Sequence, residues 1–305
     1  MIAYTITVQD HCRPVGSWLR LLLPTAPAGY LHQLLKKGHL AVNGATVRES
    51  TLLLLSDRVT LKESARTHQF LAAAAPFLDI LFEDSWLVAI NKPPGLPMHP
   101  AAEVGPDNLV DLATAILQER ALLHDPDHPS TLRLRPINRL DRGTSGAVLL
   151  AKSSNAAGMF GRMVMEEGLG KLYLAVVSGR LPGKGEISAP VEGKEAMTVF
   201  SSLYTGRETS LVALWPQTGR MHQLRQHLRH IGHPIIADRR YGGKPLPTYA
   251  GHALHAFRTW FRHPDSGQNV DICAPLPEGF LDLVQATAGP SFEQLLAELP
   301  RLTPP

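Results

Sequence analysis

Arg135-Pro-Ile-Asn-Arg-Leu-Asp-Arg-Gly-Thr-Ser-Gly146, running directly into Ala147-Val-Leu-Leu-Ala151, is the segment on which the reading of this chain turns. It is a turn-rich basic loop holding a single carboxylate, Asp141, and it leads into a strand-like apolar run. An amphipathic helix is expected next, with Ser153 or Ser154 as N-cap and Ala156, Met159, Phe160, Met163 and Val164 on one face. Lys171-Leu-Tyr-Leu-Ala-Val-Val177 then reads as another strand. Such a loop, strand, helix and strand can return the second strand beside the first, which would bring Tyr173 near the loop. On composition alone, Asp141 between Arg139 and Arg142 reads as a structural ion pair.

A second informative segment is Thr218-Gly-Arg-Met-His-Gln-Leu-Arg-Gln-His-Leu-Arg-His-Ile-Gly-His-Pro234. Met221, Leu224, Leu228 and Ile231 fall on one helical stripe expected to face a core, with His222, Arg225 and Arg229 on its shoulder. A shoulder arginine is half-buried by geometry and needs an anionic partner, for which Asp141 is the candidate for Arg225. The histidines invite a metal, but His222 and His227 are five positions apart and no cysteine is near. No metal is expected.

Upstream, Asp79-Ile-Leu-Phe82 and Trp86-Leu-Val-Ala-Ile90 predict a hairpin, followed by the irregular Asn91-Lys-Pro-Pro-Gly-Leu-Pro97. Leu109, Leu112, Ala113, Ile116 and Leu117 have the spacing of a packed helix, and residues 124–130 read as a loop. Residues 1–62 form a unit of their own. An apolar stretch from Trp18 to Leu23, then Leu31, Leu34 and Leu35 up to Lys36, Lys37 and Gly38, predicts a helix pair. Asn43-Gly44 then predicts a tight turn between short strands. Residues 63–77 read as a linker, 78–290 as the main domain and 291–305 as a tail. In that tail Phe292, Leu295, Leu296 and Leu299 are spaced for a short docking helix.

The 305 residues, 44% hydrophobic and 19% charged, can bury a real core and do not have a disordered composition. Apolar runs such as Leu52 to Leu55 are far too short to span a membrane, and the first ten residues do not resemble an export signal, so a cytoplasmic location is expected. Two distant cysteines, Cys12 and Cys273, fit a reducing compartment. The net charge of +3 says little, but its distribution says more. Arg133 to Lys152 carries five basic residues against one acid, and Gly219 to Lys244 six against one. Taken alone, these clusters read equally as solvated surface or as a nucleic-acid face.

At these motifs the chain resembles the pseudouridine synthases of the ribosomal large-subunit branch, the RluA-like family. The resemblance rests on Arg139-Leu-Asp-Arg-Gly-Thr-Ser-Gly146, Lys171-Leu-Tyr-Leu174 and Thr218-Gly-Arg-Met-His-Gln-Leu-Arg225, in that order. It extends to Asn91-Lys-Pro-Pro-Gly-Leu-Pro-Met-His99, Gly232-His-Pro-Ile-Ile-Ala-Asp238 and Leu254-His-Ala256, and covers residues 78–280. Asn138 stands where the family commonly has histidine. The implied fold is α+β, with a central, largely antiparallel mixed sheet, flanking helices and a cleft across one face. The implied reaction converts uridine in RNA to pseudouridine, with no cofactor. By the same resemblance Asp141 would attack ribose C1′ or act as a base at the ribose. Tyr173 would stack on the base and help remove the C5 proton, and Arg225 would hold Asp141 charged and oriented. Arg139 would fill the stack vacated by the flipped nucleotide. Lys92, Arg220 and Arg229 are further expected phosphate contacts.

Leu34-Leu-Lys-Lys-Gly-His-Leu-Ala-Val-Asn-Gly-Ala-Thr-Val-Arg48 resembles the alpha-L RNA-binding domain, which implies Lys36, Lys37 and Arg48 as RNA contacts. Ribosomal RNA is the first expected partner and transfer RNA the second, with no membrane and no obligate protein partner. The competing readings are a non-catalytic RNA-binding or ribosome-assembly protein and a metal-dependent nucleic-acid hydrolase. The first would lack the aspartate or tyrosine, and the second would need clustered acids.

Overall fold

The computed structural model describes residues 1–24, 26–71, 78–100, 108–124, 131–247 and 249–304. The second half of the expected linker and residues 125–130 of the expected loop lie outside the described residues; His124 ends a helix.

The first unit contains β1 (Ile2–Thr5), α1 (Val15–Leu22), α2 (Ala28–Lys36), β2 (Leu40–Val42), β3 (Ala45–Thr46) and β4 (Arg58–Leu61). Its sheet has the order β1-β4-β2-β3. The helix pair and hairpin are where the sequence puts them. Pro14 and Pro27 sit at the N-caps, and Asn43 and Gly44, both at positive φ, make the turn between β2 and β3. Strands β1 and β4 add to that reading and complete the core, in which Val59 and Leu61 pack with Trp18, Leu19, Leu31 and Leu40.

The segment expected to be a linker holds α3 (Ala65–Leu71), so the chain stays on the first unit this far. Buried Thr67 shares a 2.9 Å hydrogen bond with the Tyr30 hydroxyl, and the Arg66 guanidinium lies 4.9 Å from the Tyr30 ring centre. These are polar and aromatic anchors, which leave no apolar periodicity to detect.

The larger unit runs through β5 (Ile80–Glu83), β6 (Leu87–Lys92), α4 (Leu109–His124), β7 (Arg135–Pro136), β8 (Ser145–Ala151), α5 (Ser154–Glu166) and β9 (Gly170–Ser178). It continues with β10 (Lys184–Ser188), β11 (Met197–Thr205), β12 (Thr209–Pro216), α6 (Gln223–His230), β13 (Leu254–Arg262), β14 (Asn269–Cys273), α7 (Glu278–Ala288) and α8 (Phe292–Glu298). One sheet has the order β10-β11-β12-β9-β13-β8-β6-β5, with β14 on β13 and β7 on β8. Its pairs are antiparallel except β13 with β8, giving the expected mixed, largely antiparallel α+β architecture.

Strand β9 does not return beside β8, because β13 lies between them. Gly146 makes this possible: at φ 112° it lies so close to the Ala256 backbone that a Cβ would clash. In α4, Leu109, Ala113 and Leu117 are buried as expected, while Leu112 is exposed. Met221 also fails to face the core, because α6 starts only at Gln223.

The tail is part of the main body. Leu295, Leu296 and Leu299 are buried in the core that also holds Leu211, Phe257 and Phe280. Cys12 of the first unit joins that core, and two polar contacts dock the units together. Arg13 Nη1 donates to Asp79 Oδ1 at 2.5 Å. His11 Nδ1 accepts from the Leu55 amide at 3.1 Å, so its Nε2 carries the proton and donates to Leu296 O at 2.6 Å.

Candidate active site

The Asp141 loop is fixed from three sides. The Thr144 amide donates to Asp141 O at 3.0 Å, and Asn138 braces the approach to β8 by accepting from the Leu149 amide at 2.8 Å. Thr144 Oγ1 and His252 Nε2 are 2.8 Å apart. Burial pushes the His252 pKa down to about 4, so this imidazole is neutral near neutral pH. On the third side Lys92 lies wholly buried, its Nζ donating to Pro93 O, Leu96 O and Arg142 O at 2.9, 2.9 and 3.0 Å. The expectation that Lys92 meets RNA phosphate is corrected here: its ammonium points inward and staples the Pro-rich loop to the Asp141 loop. Burial pushes its pKa down to about 7, while the Asp141 charge pulls it back up. A neutral amine has only two N–H donors, so the ammonium alone serves all three carbonyls.

Helix α6 supplies the other half of the site. Leu224 and Leu228 are buried, and three polar residues of the same helix, Gln223, Arg225 and His227, are buried with them. Gln223 Oε1 accepts from Thr218 Oγ1 and the Arg220 amide at 2.7 and 3.0 Å, and its Nε2 donates to Met197 O at 2.9 Å. His227 lies 3.0 Å from Thr198 Oγ1 and 2.9 Å from Ala189 O. Held this way, the helix carries Arg225 into the interior, only 7% exposed.

Arg225 meets the carboxylate expected of it. Its Nη1 donates to Asp141 Oδ2 at 2.8 Å. The remaining fork is occupied by a residue the sequence reading quoted without a role: Nε donates to Asp238 Oδ2 at 2.7 Å and Nη2 to Asp238 Oδ1 at 2.8 Å. Burial alone would raise the Asp238 pKa, but the hydrogen bonds and charge of Arg225 outweigh it and hold the carboxyl below its usual range. The Arg225 guanidinium also lies 4.9 Å from the Tyr241 ring centre. His222, left-handed at φ 55°, places Nδ1 2.9 Å from the Tyr241 hydroxyl and Nε2 3.6 Å from Asp141 Oδ1.

These parts surround a pocket of about 380 Å³ lined by Arg139, Asp141, Lys171, Tyr173, Arg225 and Leu254, among others. Tyr173 reaches it from β9, whose partner strands β12 and β13 present Leu214 and Ala256 beside it. Burial, and then the nearby Asp141 charge, raise the Tyr173 pKa, so the phenol keeps its proton. Arg139 and Arg220 are exposed at the rim, Arg220 Nε donating to Glu195 O at 3.1 Å, and Arg229 is exposed on α6. Lys36, Lys37 and Arg48 are exposed on the first unit and do not line this pocket. Among the described residues no group of three or more His, Cys, Asp or Glu side chains is placed to hold a metal. The arrangement offers a fixed carboxylate facing a half-apolar, nucleoside-sized hollow.

A family model for RNA pseudouridylate synthases matches residues 86–230. The chain is 34% identical to a tRNA pseudouridine synthase C of Pasteurella multocida, over 68% of this chain and 95% of the relative. It is 30% identical to a ribosomal large subunit pseudouridine synthase D of Neisseria meningitidis, over 93% of this chain and 81% of the relative. A solved structure of human RNA pseudouridylate synthase domain containing 1 aligns with TM-score 0.53 and 27% identity, covering 76% of this chain and 98% of that one. Asp141, Tyr173 and Arg225 lie within the matched segment. The chain therefore belongs to the RluA-like family of RNA pseudouridine synthases, which are isomerases.

Proposed function

We propose that this enzyme isomerises a specific uridine in large-subunit ribosomal RNA, with Asp141 as the reacting carboxylate. The observation that carries the reading is the single hydrogen bond from Arg225 to Asp141 Oδ2, which leaves Oδ1 outside the arginine fork, 3.6 Å from His222 Nε2, on a residue that lines the pocket. The target nucleotide leaves its stack, at a cost of about a few kcal/mol, and in this reading Arg139, which lines the pocket, takes its place. Asp141 then attacks C1′ or takes a proton from the ribose. The C1′–N1 bond breaks, the uracil turns against the Tyr173 ring, and C5 joins C1′. The C5 proton leaves and N1 gains one, so nothing is consumed and no water need be activated. In this reading Tyr173 serves as the stacking surface, and its hydroxyl helps remove the C5 proton.

Exposed Lys36, Lys37 and Arg48 on the first unit, with Arg220 and Arg229 on the second, form the RNA-gripping surface in this reading. The helix pair and hairpin of the first unit support its reading as an alpha-L RNA-binding domain. The tRNA-named relative keeps transfer RNA as the second substrate class.

The test is to incubate the purified protein with unmodified large-subunit ribosomal RNA and with tRNA transcripts, and to map pseudouridine at nucleotide resolution. Conversion of one or a few uridines in the ribosomal RNA is expected. Conversion confined to tRNA replaces the substrate, and no conversion in either overturns the reading.

A further inference from the structure

Two cations that line the pocket, Arg139 and Lys171, have no partner among the described residues, and of the two Arg139 is exposed to solvent while Lys171 is drawn in from it. Arg225 is held between Asp141 and Asp238, Lys92 is enclosed by carbonyls, and Arg220 Nε is engaged by Glu195 O. Lys171 also lines the pocket, yet among the described residues its Nζ has neither a hydrogen-bond acceptor nor a carboxylate. Its side chain is only partly exposed, and burial lowers its pKa with no acid to offset the effect. An ammonium withdrawn from water and left unpaired costs stability, and the compensation expected of such a site is an anionic ligand.

The surroundings fit one kind of anion. Lys171 and Tyr173 are two residues apart on β9, so their side chains leave the same face of the sheet about 7 Å apart. That is the separation across a ribose from a base resting on Tyr173 to its own phosphate. Gly219 lines the pocket at the same point, and the nearest neighbour a Cβ there would meet is Lys171 Nζ, at 4.0 Å. Gly219 is not at positive φ, so its backbone does not demand glycine. The missing side chain keeps the approach to the ammonium open.

We propose that Lys171 binds a phosphate flanking the flipped uridine, fixing the ribose over Asp141. This rests on the RNA-isomerase reading given above. It places a phosphate ligand inside the pocket, distinct from the exposed basic residues that grip the surrounding RNA.

The test uses the full-length enzyme and a stem-loop RNA containing the mapped uridine, with the phosphate 5′ or 3′ to that uridine replaced by an uncharged methylphosphonate. The wild-type enzyme should lose roughly tenfold or more in kcat/KM on one of the two modified RNAs. Lys171→Gln should lose a similar factor on the natural RNA and nothing further on that modified RNA. Its log Kd against log salt should be shallower by about 0.7 to 0.9. Lys171→Met, which keeps the apolar stem, guards against a folding defect. If the lysine serves a ligand, neither variant should melt below the wild type. A Lys171→Gln enzyme with unchanged kcat/KM and salt slope overturns the proposal, as do losses from variant and methylphosphonate that multiply. A wild-type enzyme making no pseudouridine would sink the isomerase reading instead.

Discussion

Asp238 holds two of the three guanidinium nitrogens of Arg225 and leaves the third for Asp141. One positive charge is thus shared by two carboxylates, and the buried one takes the bidentate share. On the reading of Asp141 as the reacting carboxylate, Asp238 would act on the reaction through Arg225, by fixing its plane and tempering its hold on Asp141. Asp238→Asn should lower the unfolding free energy by about 3 kcal/mol, because it breaks a buried pair from one side. It should also reduce kcat more than it raises KM, whereas Arg225→Lys, which keeps the charge but loses the fork, should show an intermediate defect. Denaturant unfolding and steady-state kinetics of both variants check this. A kcat at the wild-type level in Asp238→Asn would remove its positioning role.

Asp141→Asn preserves shape and removes the charge. Pseudouridine formation should fall by roughly a thousandfold or more, with RNA affinity within about twofold of wild type. Tyr173→Phe keeps the ring and loses the hydroxyl, so binding should persist while kcat falls roughly a hundredfold. Single-turnover rates beside filter-binding affinities separate the two effects.

Lys92 and Lys171 should behave as opposites although both are lysines of the same site. Removing Lys92 as Lys92→Met strands three carbonyls and should cost about 3 kcal/mol of stability with the salt slope of RNA binding unchanged. Melting curves and salt titrations of the two variants, run side by side, decide it.

Acid should weaken the fold before the carboxylates are reached. His252 and His255 are buried neutral, their pKa values pushed down by burial to about 4 from an ordinary 6.5. A depressed histidine contributes stability that is fully present above about pH 6.5 and is lost as pH falls toward 4, by about 1.4 kcal/mol per unit for each group. His255→Gln should flatten this slope in urea melts between those pH values, even if it lowers the plateau.

The first unit is welded to the second, so its removal should not be neutral. Deleting residues 1–62 removes Cys12 from the main core, Arg13 from Asp79 and His11 from Leu296 O. The remaining chain should melt several degrees lower as well as bind RNA more weakly. Equal melting temperatures for the two chains would show that the contacts contribute nothing.

Much of this was legible in the sequence because the motifs are local. The Asp141 loop, the strand of Tyr173 and the helix of Arg225 each declare themselves by periodicity and turn chemistry, while the shoulder arginine only asks for an anion and the family resemblance is what brings Arg225 and Asp141 into one cleft. What escaped depends on long-range pairing. Nothing in residues 139–178 signals that β13 would slip between β8 and β9, since Gly146 permits it but Ala256 supplies the neighbour. Net charge in a segment also misled: Lys152 belongs to the first basic cluster, yet it pairs at 2.8 Å with Glu83, nearly seventy positions away. Lys92, expected to meet phosphate, is buried on three carbonyl oxygens, one of them fifty positions away at Arg142, which no local pattern announces.

The dock between the units has a geometric result for substrate choice. A grip joined to a catalytic centre by a loose tether samples many separations and accepts many RNAs. Here Arg13 on Asp79 and His11 on Leu296 O tie the two units together, as the jaws of a caliper set at a single opening would be. On the reading of the first unit as an RNA grip, the enzyme tests the distance from the gripped helix to a candidate uridine before any base is read. A uridine in a suitable loop but at the wrong distance would never reach Asp141.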